Sequence, residues 1–319
     1  MKMKTKILMI GLILAIIFYG NFIYQKRRLH VNVSLISEKF ISRANKNERH
    51  LYAKRTKLDP AFIRSYDILR SQIEIDIVIP VVEKDLETVV YTIESIRKLV
   101  NHKIGKIYLV APNQQKIKDF AETYKCEFID EDTVLPAPAI KKHGGWILQQ
   151  FLKLNMENIV QKDHYLVVDA DTFFLRPVVF IRENAYLINV QWNCDLLRKR
   201  ITSKFLNNKQ VYAYDFVAHH MLFSKKILQQ MKEHIEKTHG DKWYNVFLKS
   251  FETNKTHRDG FSEYELYATY LTEFTKEKFR FVSNANITVY RNFLGGIDKI
   301  MPAYAGEYKT ISAHGYIDF

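Results

Sequence analysis

The chain has 319 residues, of which 47% are hydrophobic and 13% aromatic, so it can bury a sizeable core and is not an intrinsically disordered protein. Its formal net charge is +13, but residues 1–57 hold eight Lys and five Arg against Glu38 and Glu48, a local charge of +11. Residues 58–319 therefore carry only the difference of +2, which excludes a basic groove for nucleic acid.

An apolar run over residues 7–24 lies between lysines on one side and Lys26, Arg27 and Arg28 on the other. At about 1.5 Å per residue, a helix of this length roughly spans the hydrocarbon layer of a bilayer. We predict that residues 1–24 form a tail and a single membrane anchor, followed by a polar stem over residues 25–72. A cleaved signal peptide is the alternative, although basic residues rather than a small-residue cleavage site follow the run. Because both flanks are basic, the orientation in the membrane stays open.

A globular domain is predicted over residues 73–319. Apolar and β-branched runs predict strands at residues 75–80, 107–110, 126–129, 164–168, 186–190, 219–223, 279–282 and 287–290. Helical spacing of apolar residues predicts helices at residues 85–100, 113–124, 145–159, 225–238, 242–251 and 262–274. The alternation predicts an α/β fold with a twisted, mostly parallel sheet and helices on both faces. No Gly-x-Gly-x-x-Gly turn follows the first strand, so dinucleotide-dependent hydride transfer loses its main support.

Two acids one residue apart, Asp169 and Asp171, directly follow the buried strand predicted at residues 164–168. Residues i and i+2 of an extended segment point the same way, so both carboxylates can face one cation at the carboxyl edge of the sheet. Open α/β sheets bind ligands at that edge. A hard divalent ion with oxygen ligands would offset the repulsion between the two anions, and the ligand expected with it is a diphosphate. The alternative is that both acids only cap the strand or begin a turn.

Three segments in order carry a resemblance to a known family. They are HGGWILQQFLKL (residues 143–154), LVVDADTFFLRP (residues 166–177) and FSEYELYATYL (residues 261–271). The second resembles the DxD region of GT-A type glycosyltransferases, and the three together resemble a group of glycosyltransferases known only as a domain of unknown function. The resemblance implies a GT-A-like (Rossmann-like) fold, a nucleotide-sugar donor, and a divalent metal, commonly Mn²⁺ with Mg²⁺ as the alternative, held by Asp169 and Asp171.

The same resemblance implies two further roles. His314, in the segment ISAHGY near the carboxyl terminus, is similar to the histidine that completes the metal shell in several such transferases, although it could equally be a solvated surface residue. Glu263 begins a late helix and is a candidate general base toward the acceptor hydroxyl. The Ser262-x-x-Glu265 pattern is a capping box, which gives Glu265 a structural duty and leaves Glu263 without one. The alternative is that both acids only complement the helix dipole.

Other residues are predicted to bind the donor. Helical spacing puts Trp146, Gln149, Gln150 and Lys153 on about one face, and we expect Lys153 to contact the diphosphate. The alternative is an ordinary amphipathic helix with Trp146 as a core anchor. Asp76 or Asp85, near the first strand, is a candidate for the base or ribose, and the alternative is that each is only a surface or capping acid. The adjacent residues His219 and His220 point to opposite faces of a strand, so they cannot easily serve one metal together, and one of them is expected to line the acceptor site.

The leading prediction is a membrane-anchored, metal-dependent glycosyltransferase that moves a sugar from a nucleotide-diphosphate sugar to a glycan or glycolipid acceptor. A metal-dependent phosphotransferase or nucleotidyltransferase would use the same paired carboxylates. A membrane-tethered, non-catalytic glycan-binding module is the third alternative, because a fold does not fix a function.

Overall fold

The computed structural model of the chain describes residues 70–191, 195–208, 212, 215–291, 302 and 304–314. The predicted anchor at residues 1–24 and nearly all of the predicted stem at residues 25–72 lie outside the described residues and stay predictions. Within the described part of the chain, every helix is too short or too polar to cross a bilayer.

Eleven strands are described in the chain. They are β1 Glu74–Pro80, β2 Lys103–Ala111, β3 Glu127–Asp130, β4 His164–Val168, β5 Thr172–Phe174, β6 Ile181–Arg182, β7 Ala185–Val190, β8 His220–Ser224, β9 Lys278–Ser283, β10 Asn286–Tyr290 and β11 Thr310–His314. The main sheet has five strands in the order β3-β2-β1-β4-β8. Its first four strands are parallel, and β8 runs antiparallel to β4. The carboxyl ends of four strands therefore share one edge with the beginning of β8.

The centre of this sheet is apolar because β1 and β4 are continuous buried runs. Ile75, Ile77, Val78 and Ile79 of β1 have no exposed surface, and neither have the four residues that end β4. Strands that are buried on both faces read as uninterrupted apolar runs, so these two strands could be predicted from the sequence.

α-Helices lie between the strands and after them. They are α1 Leu86–Leu99, α2 Gln115–Thr123, α3 Glu131–Val134, α4 Gly145–Asn155, α5 Leu196–Leu206, α6 Lys225–His239, α7 Trp243–Thr253, α8 Lys255–Asp259 and α9 Glu263–Phe274. Short 3-10 turns occupy Glu83–Asp85, Pro138–His143 and Met156–Asn158. Local signals fix several ends: Ser224 caps α6, which stops at Gly240 with φ 70°, and Asp195 caps α5.

Two three-stranded sheets complete the described fold, with the orders β10-β11-β5 and β6-β7-β9. In the first, β11 is parallel to β10 and antiparallel to β5, with Ser312 opposite Thr172. Because Thr172 directly follows Asp171, this pairing places the end of β11 close to Asp169 and Asp171. The small sheet therefore joins segments about 140 positions apart along the chain.

The prediction of a mixed α/β fold with a mainly parallel sheet is confirmed. Some observed elements were not predicted from the sequence, namely α5, β5, β6 and β11. The helix expected at residues 145–159 ends at Asn155. Contacts between distant segments, rather than local pattern, determine these elements. Asn113 does not cap α2. The N-cap residue is Gln114, and the Asn113 amide donates instead to Asp130 at 2.8 Å.

Candidate active site

The segment between β4 and β5 holds both acids on a tightly bonded backbone. Asp169 and Asp171 side chains are each 18% exposed. Four hydrogen bonds tie the backbone: Asp169 N–H to the His219 carbonyl at 2.9 Å, Thr172 N–H to the Asp169 carbonyl at 3.0 Å, Ala313 N–H to the Asp171 carbonyl at 2.8 Å, and Thr92 Oγ1 to the Ala170 carbonyl at 2.9 Å. The two carboxylates are thus positioned by three different parts of the fold.

Asp169 uses both of its oxygens within the protein. Oδ1 accepts from Lys153 Nζ at 2.6 Å and from the Tyr264 hydroxyl at 3.1 Å, and Oδ2 lies 3.2 Å from His219 Nδ1. Burial by itself raises the pKa of this carboxyl, but Lys153 and His219 outweigh burial and hold the pKa well below its ordinary value. Asp169 therefore stays charged over the whole working pH range.

Lys153 is buried between Asp169 and Glu263. It is 2% exposed, and its Nζ donates to Asp169, to Glu263 at 2.8 Å and to the Tyr264 hydroxyl at 3.3 Å. Burial lowers the pKa of a lysine, but the charges of Asp169 and Glu263 outweigh burial and raise this pKa above its ordinary value. An ammonium has three N–H donors, and all three have an oxygen partner here. The predicted direct contact between Lys153 and a diphosphate is therefore wrong for this arrangement.

Asp171 faces a second pair of side chains, His314 and Arg291. Its Oδ2 lies 3.1 Å from His314 Nδ1 and 3.9 Å from Arg291 NH2. Arg291 also donates to Asp85 Oδ1 at 2.8 Å, so Asp85 shares the same edge of the molecule. The structure thus places His314 beside Asp171, two positions from Asp169.

The imidazole rings of His219 and His314 lie close to each other and to the carboxylates of Asp169 and Asp171. Their ring centroids are 5.0 Å apart, and each Nδ1 faces one of the two carboxylates. His219 also has φ 59°, a left-handed conformation that is uncommon for residues other than glycine. In the described part of the chain, no group of three or more His, Cys, Asp and Glu side chains is placed so that it could hold a metal ion. The four side chains form two carboxylate–imidazole pairs instead.

Glu263 joins the site through the first turn of α9. It is 3% exposed, its backbone N–H donates to Gln150 Oε1 at 3.1 Å, and its carboxylate accepts from Lys153. The Ser262 hydroxyl accepts from Glu265 N–H at 3.4 Å, so half of the predicted capping box is present. The other half is replaced, because the Glu265 carboxylate binds Lys199 Nζ and Phe216 N–H rather than the backbone of Ser262.

The exposed beginning of α4 leads away from the acids. Trp146 is 48% exposed, so the alternative in which it anchors the core is wrong. Gln149 is half-buried, whereas Gln150 and Lys153 are buried, so the four residues do not share one ligand-facing surface. Gly144, just before the helix, has φ 93°, and a Cβ added there would meet nothing within 4 Å.

Asp76 is the clearest correction among the predicted site residues. It has no exposed surface, and its oxygens accept from three backbone amides: Lys106 N–H at 2.8 Å, Gln161 N–H at 2.7 Å and Lys162 N–H at 3.0 Å. It is the third residue of β1 and lies toward the end opposite the carboxyl edge. Asp76 therefore ties strand β2, where its register with β1 shifts, to the segment before β4, and it is not available to a base or ribose.

Three residues of the site were not assigned to it from the sequence. Tyr264 stands beside Glu263, and its hydroxyl lies between Lys153 and Asp169. Arg291 reaches the site from the end of β10, and His219 from the beginning of β8. The one local signal was the pair His219-His220, since alternation along a strand predicts that only one histidine faces the site. The structure shows that this residue is His219, and His220 is buried against Asn189.

Comparisons with known proteins give one family and several similar structures. A family model described as a family of unknown function (DUF6492) matches residues 72–285, which confirms the resemblance to a group known only as a domain of unknown function. No curated protein matches the chain.

Several solved glycosyltransferase structures are similar to this chain. Mouse xyloside xylosyltransferase 1, apo form, is 12% identical with a TM-score of 0.44, over 78% of this chain and 100% of that chain. The galactosyltransferase LgtC, in complex with donor and acceptor sugar analogues, is 12% identical with a TM-score of 0.42, over 76% and 87%. The glycosyltransferase GlyE of Streptococcus pneumoniae TIGR4 is 12% identical with a TM-score of 0.37, over 76% and 55%. Identities and scores at this level do not by themselves assign a reaction to the chain.

Proposed function

Because this chain belongs to DUF6492, a family of unknown function, its reaction has to be inferred from the site, and we propose that it is a metal-assisted glycosyltransferase. It would move a sugar from a nucleotide-diphosphate sugar to a hydroxyl of a glycan or glycolipid. The observation that carries the proposal is the convergence of Asp169, Asp171, His314 and Glu263 at the carboxyl edge of the main sheet. Asp169, Asp171 and Glu263 come from two of the three segments that carry the family resemblance, and His314 comes from the segment ISAHGY near the carboxyl terminus.

The chemistry of the donor set fits a divalent cation. Carboxylate oxygens suit Mn²⁺ and Mg²⁺, and imidazole nitrogens suit transition ions such as Mn²⁺ better than Mg²⁺. Asp171 and His314 would hold the ion, with Asp169 beside them. A bound cation would offset the negative charge that develops on the leaving diphosphate as the glycosidic bond breaks.

The chain supplies positive charge of its own beside that position. The buried Lys153 ammonium compensates the negative charges of Asp169 and Glu263. The Arg291 guanidinium lies 3.9 Å from the Asp171 carboxylate. Arg291 is 23% exposed and already shared with Asp85, so it can meet an anion at the surface without leaving a buried acid unpaired. We assign to Arg291 the diphosphate contact that the sequence predicted for Lys153.

Glu263 is the proposed general base. The acceptor oxygen would form its bond to the anomeric carbon and give its proton to the Glu263 carboxylate, while the nucleoside diphosphate departs with the electrons of the broken bond. Lys153 and the Gln150 amide hold Glu263 in one position, because both contact it directly. Exact placement matters for proton transfer, since a base must lie within hydrogen-bond reach of the attacking oxygen.

The remaining features support a bulky, membrane-associated acceptor. Trp146 presents an exposed aromatic face about two helical turns from Lys153, a distance of about 10 Å along α4. Aromatic faces stack well on sugar rings, and the open backbone at Gly144 leaves room beside it. The predicted anchor at residues 1–24 would keep the enzyme next to a lipid-linked acceptor.

The test is a screen of the full chain, purified with detergent, against a panel of nucleotide sugars with Mn²⁺. We expect release of a nucleoside diphosphate from one donor, loss of that release with a chelator, and a large loss in Asp171→Asn with the fold preserved by circular dichroism. Release of pyrophosphate from nucleoside triphosphates would assign a nucleotidyltransferase instead. Sugar binding that survives both the chelator and Asp171→Asn, with no turnover, would identify a glycan-binding module.

A further inference from the structure

One face of α4 leads from the exposed start of the helix to the buried residue Glu263. Gln150 and Lys153 lie on this face, because both contact Glu263. Trp146 is four positions before Gln150, and residues i and i+4 of a helix are neighbours on one face. Trp146 therefore forms the exposed end of the face whose buried end holds Glu263.

The distance between Trp146 and Glu263 is short. The side-chain amide of Gln150 lies between them, since its Nε2 donates to the Trp146 carbonyl at 3.4 Å and its Oε1 accepts from Glu263 N–H at 3.1 Å. One amide group spans about 2.2 Å, so the two backbone groups are at most about 9 Å apart. A helical turn covers about 5.4 Å, which is roughly the length of one sugar unit. A saccharide whose hydroxyl reaches Glu263 would therefore have its next unit beside Trp146.

The surface at Trp146 has the chemistry that a sugar unit requires. The indole is 48% exposed, and an aromatic face packs well against the C–H groups of a sugar ring. Gln149 is half-buried and is a neighbour of Trp146 on the helix surface. In the part of the chain that the structure describes, no group is hydrogen-bonded to the Gln149 side-chain amide or to Trp146 Nε1. Both can donate to sugar hydroxyls, and the amide can also accept from them.

The backbone before Trp146 leaves space for such a ligand. Gly144 and Gly145 directly precede Trp146, and a Cβ added at either position would meet no atom within 4 Å. Gly144 also has φ 93°, a backbone conformation that favours glycine. The start of α4 is therefore open at the point where the second sugar unit would lie.

We propose that Trp146 and Gln149 form an acceptor subsite for a second sugar unit, next to the unit whose hydroxyl reacts at Glu263. The acceptor is then a glycan or a glycolipid headgroup with at least two sugar units, rather than a single sugar. The inference rests on the sugar transfer and the general base proposed above. It assigns Trp146 and Gln149 to the acceptor, whereas the sequence predicted that they bind the donor.

The test measures saccharide binding to the full chain by saturation-transfer NMR, without a nucleotide sugar and in a detergent that has no sugar headgroup. The probes are methyl glycosides of glucose, galactose, mannose and N-acetylglucosamine, and methyl glycosides of the corresponding disaccharides. We expect one disaccharide or more to bind about tenfold more tightly than the monosaccharide, the usual contribution of one aromatic contact. Trp146→Ala should abolish this preference, and Trp146→Phe should retain most of it. Gln149→Ala should reduce it about threefold, because one hydrogen bond is lost.

Phe274→Ala is the matched control, because Phe274 is also an exposed aromatic residue but lies at the other end of α9 from Glu263. We expect it to bind disaccharides like the parent chain. An equal preference for disaccharides in the parent and in Trp146→Ala that is folded by circular dichroism would overturn the subsite. The absence of any such preference in the parent chain would overturn it as well.

Nucleotide release with the same variants lets the subsite and the reaction fail separately. If Trp146→Ala transfers sugar to a disaccharide with an unchanged KM, the reaction stands and the subsite is wrong. If the parent chain binds disaccharides through Trp146 but releases no nucleoside diphosphate from any donor, the subsite binds glycans and the transfer reaction is wrong.

Discussion

Glu263 and Glu265 lie two residues apart in the first turn of α9, and both are buried and paired with a buried lysine. Their surroundings nevertheless differ. Glu263 shares Lys153 with Asp169, next to two histidines and the exposed carboxyl edge of the main sheet. Glu265 pairs with Lys199 alone and is closed in by Phe216 N–H and the Thr269 hydroxyl. The face of α9 that carries Glu263 is therefore part of the candidate site. The face that carries Glu265 belongs to the structural scaffold.

The pKa of a buried acid also shifts in opposite directions in the two regions. Burial raises the pKa of Glu265, and Lys199 offsets only part of that effect. At Asp169 the balance is reversed, since Lys153 and His219 outweigh burial and hold the pKa well below its ordinary value. The pKa of the scaffold acid is thus raised, whereas the pKa of the site acid is lowered. Burial and ion pairing are found in both regions, so they do not identify a functional residue. The feature that distinguishes the candidate site is a lysine shared by two acids at the carboxyl edge of the sheet.

Replacing the shared lysine should have the largest effect. Lys153→Met leaves Asp169 and Glu263 buried without a counter-charge, and breaking a buried pair costs about 3–5 kcal/mol. We expect a loss of that size in the free energy of unfolding, measured with urea, together with loss of nucleotide release. Lys199→Met is the matched control: it should also lower stability but leave donor turnover per folded molecule unchanged. Equal loss of turnover in both folded variants would remove the distinction between the two regions.

Replacing the glutamates tests the same distinction without removing a positive charge. Glu263→Gln keeps the shape but removes the proton acceptor, so we expect the transfer rate to fall by roughly 10²–10⁴-fold, the usual contribution of a general base. Donor binding should be nearly unchanged. Glu265→Gln should leave the rate within about twofold of the parent, because scaffold changes away from the chemistry act on stability. A normal rate in Glu263→Gln would return Glu263 to the role of helix-terminal acid.

The sequence predicted those parts of the fold and site that local pattern determines. The buried runs of β1 and β4, the helical spacing of α1 and α9, and the two acids after β4 all follow from residue types within one segment. Asp76 shows the limit, because an acid near the end of a strand looks the same at either edge of a sheet. Only its three backbone donors identify it as a structural residue.

Long-range pairing accounts for what the sequence could not predict. His219 meets Asp169 because β8 runs antiparallel to β4, with residues 50 positions apart, and no local pattern fixes that partner or its direction. Arg291 reaches Asp85 across 206 positions. Lys153 was predicted on the correct helix, but its burial and its pairing with Asp169 and Glu263 depend on how α4 packs against α9.

His102 offers the last and smallest test, confined to the scaffold. It is 3% exposed, its Nδ1 lies 3.2 Å from the Ile73 carbonyl, and its Nε2 accepts from Phe180 N–H at 2.8 Å. A proton on Nε2 would face that N–H group, so the fold requires the neutral ring. Burial is the main cause that lowers the pKa of His102 to about 4, against a modest opposing effect of the hydrogen bond to Ile73.

The sign of the pH effect follows from this pKa. The folded value lies below the unfolded value of 6.5, so the stabilising neutral form is fully present above pH 6.5, and its contribution is lost as pH falls toward 4. The difference corresponds to about 3 kcal/mol in the free energy of unfolding. His102→Gln does not titrate, so urea unfolding between pH 7.5 and 4 should show a flatter pH dependence than in the parent chain, with nucleotide release at pH 7.5 unchanged. Parallel stability curves would show that His102 is not protonated on unfolding, and a change in nucleotide release would mean that the scaffold and the site are not separable.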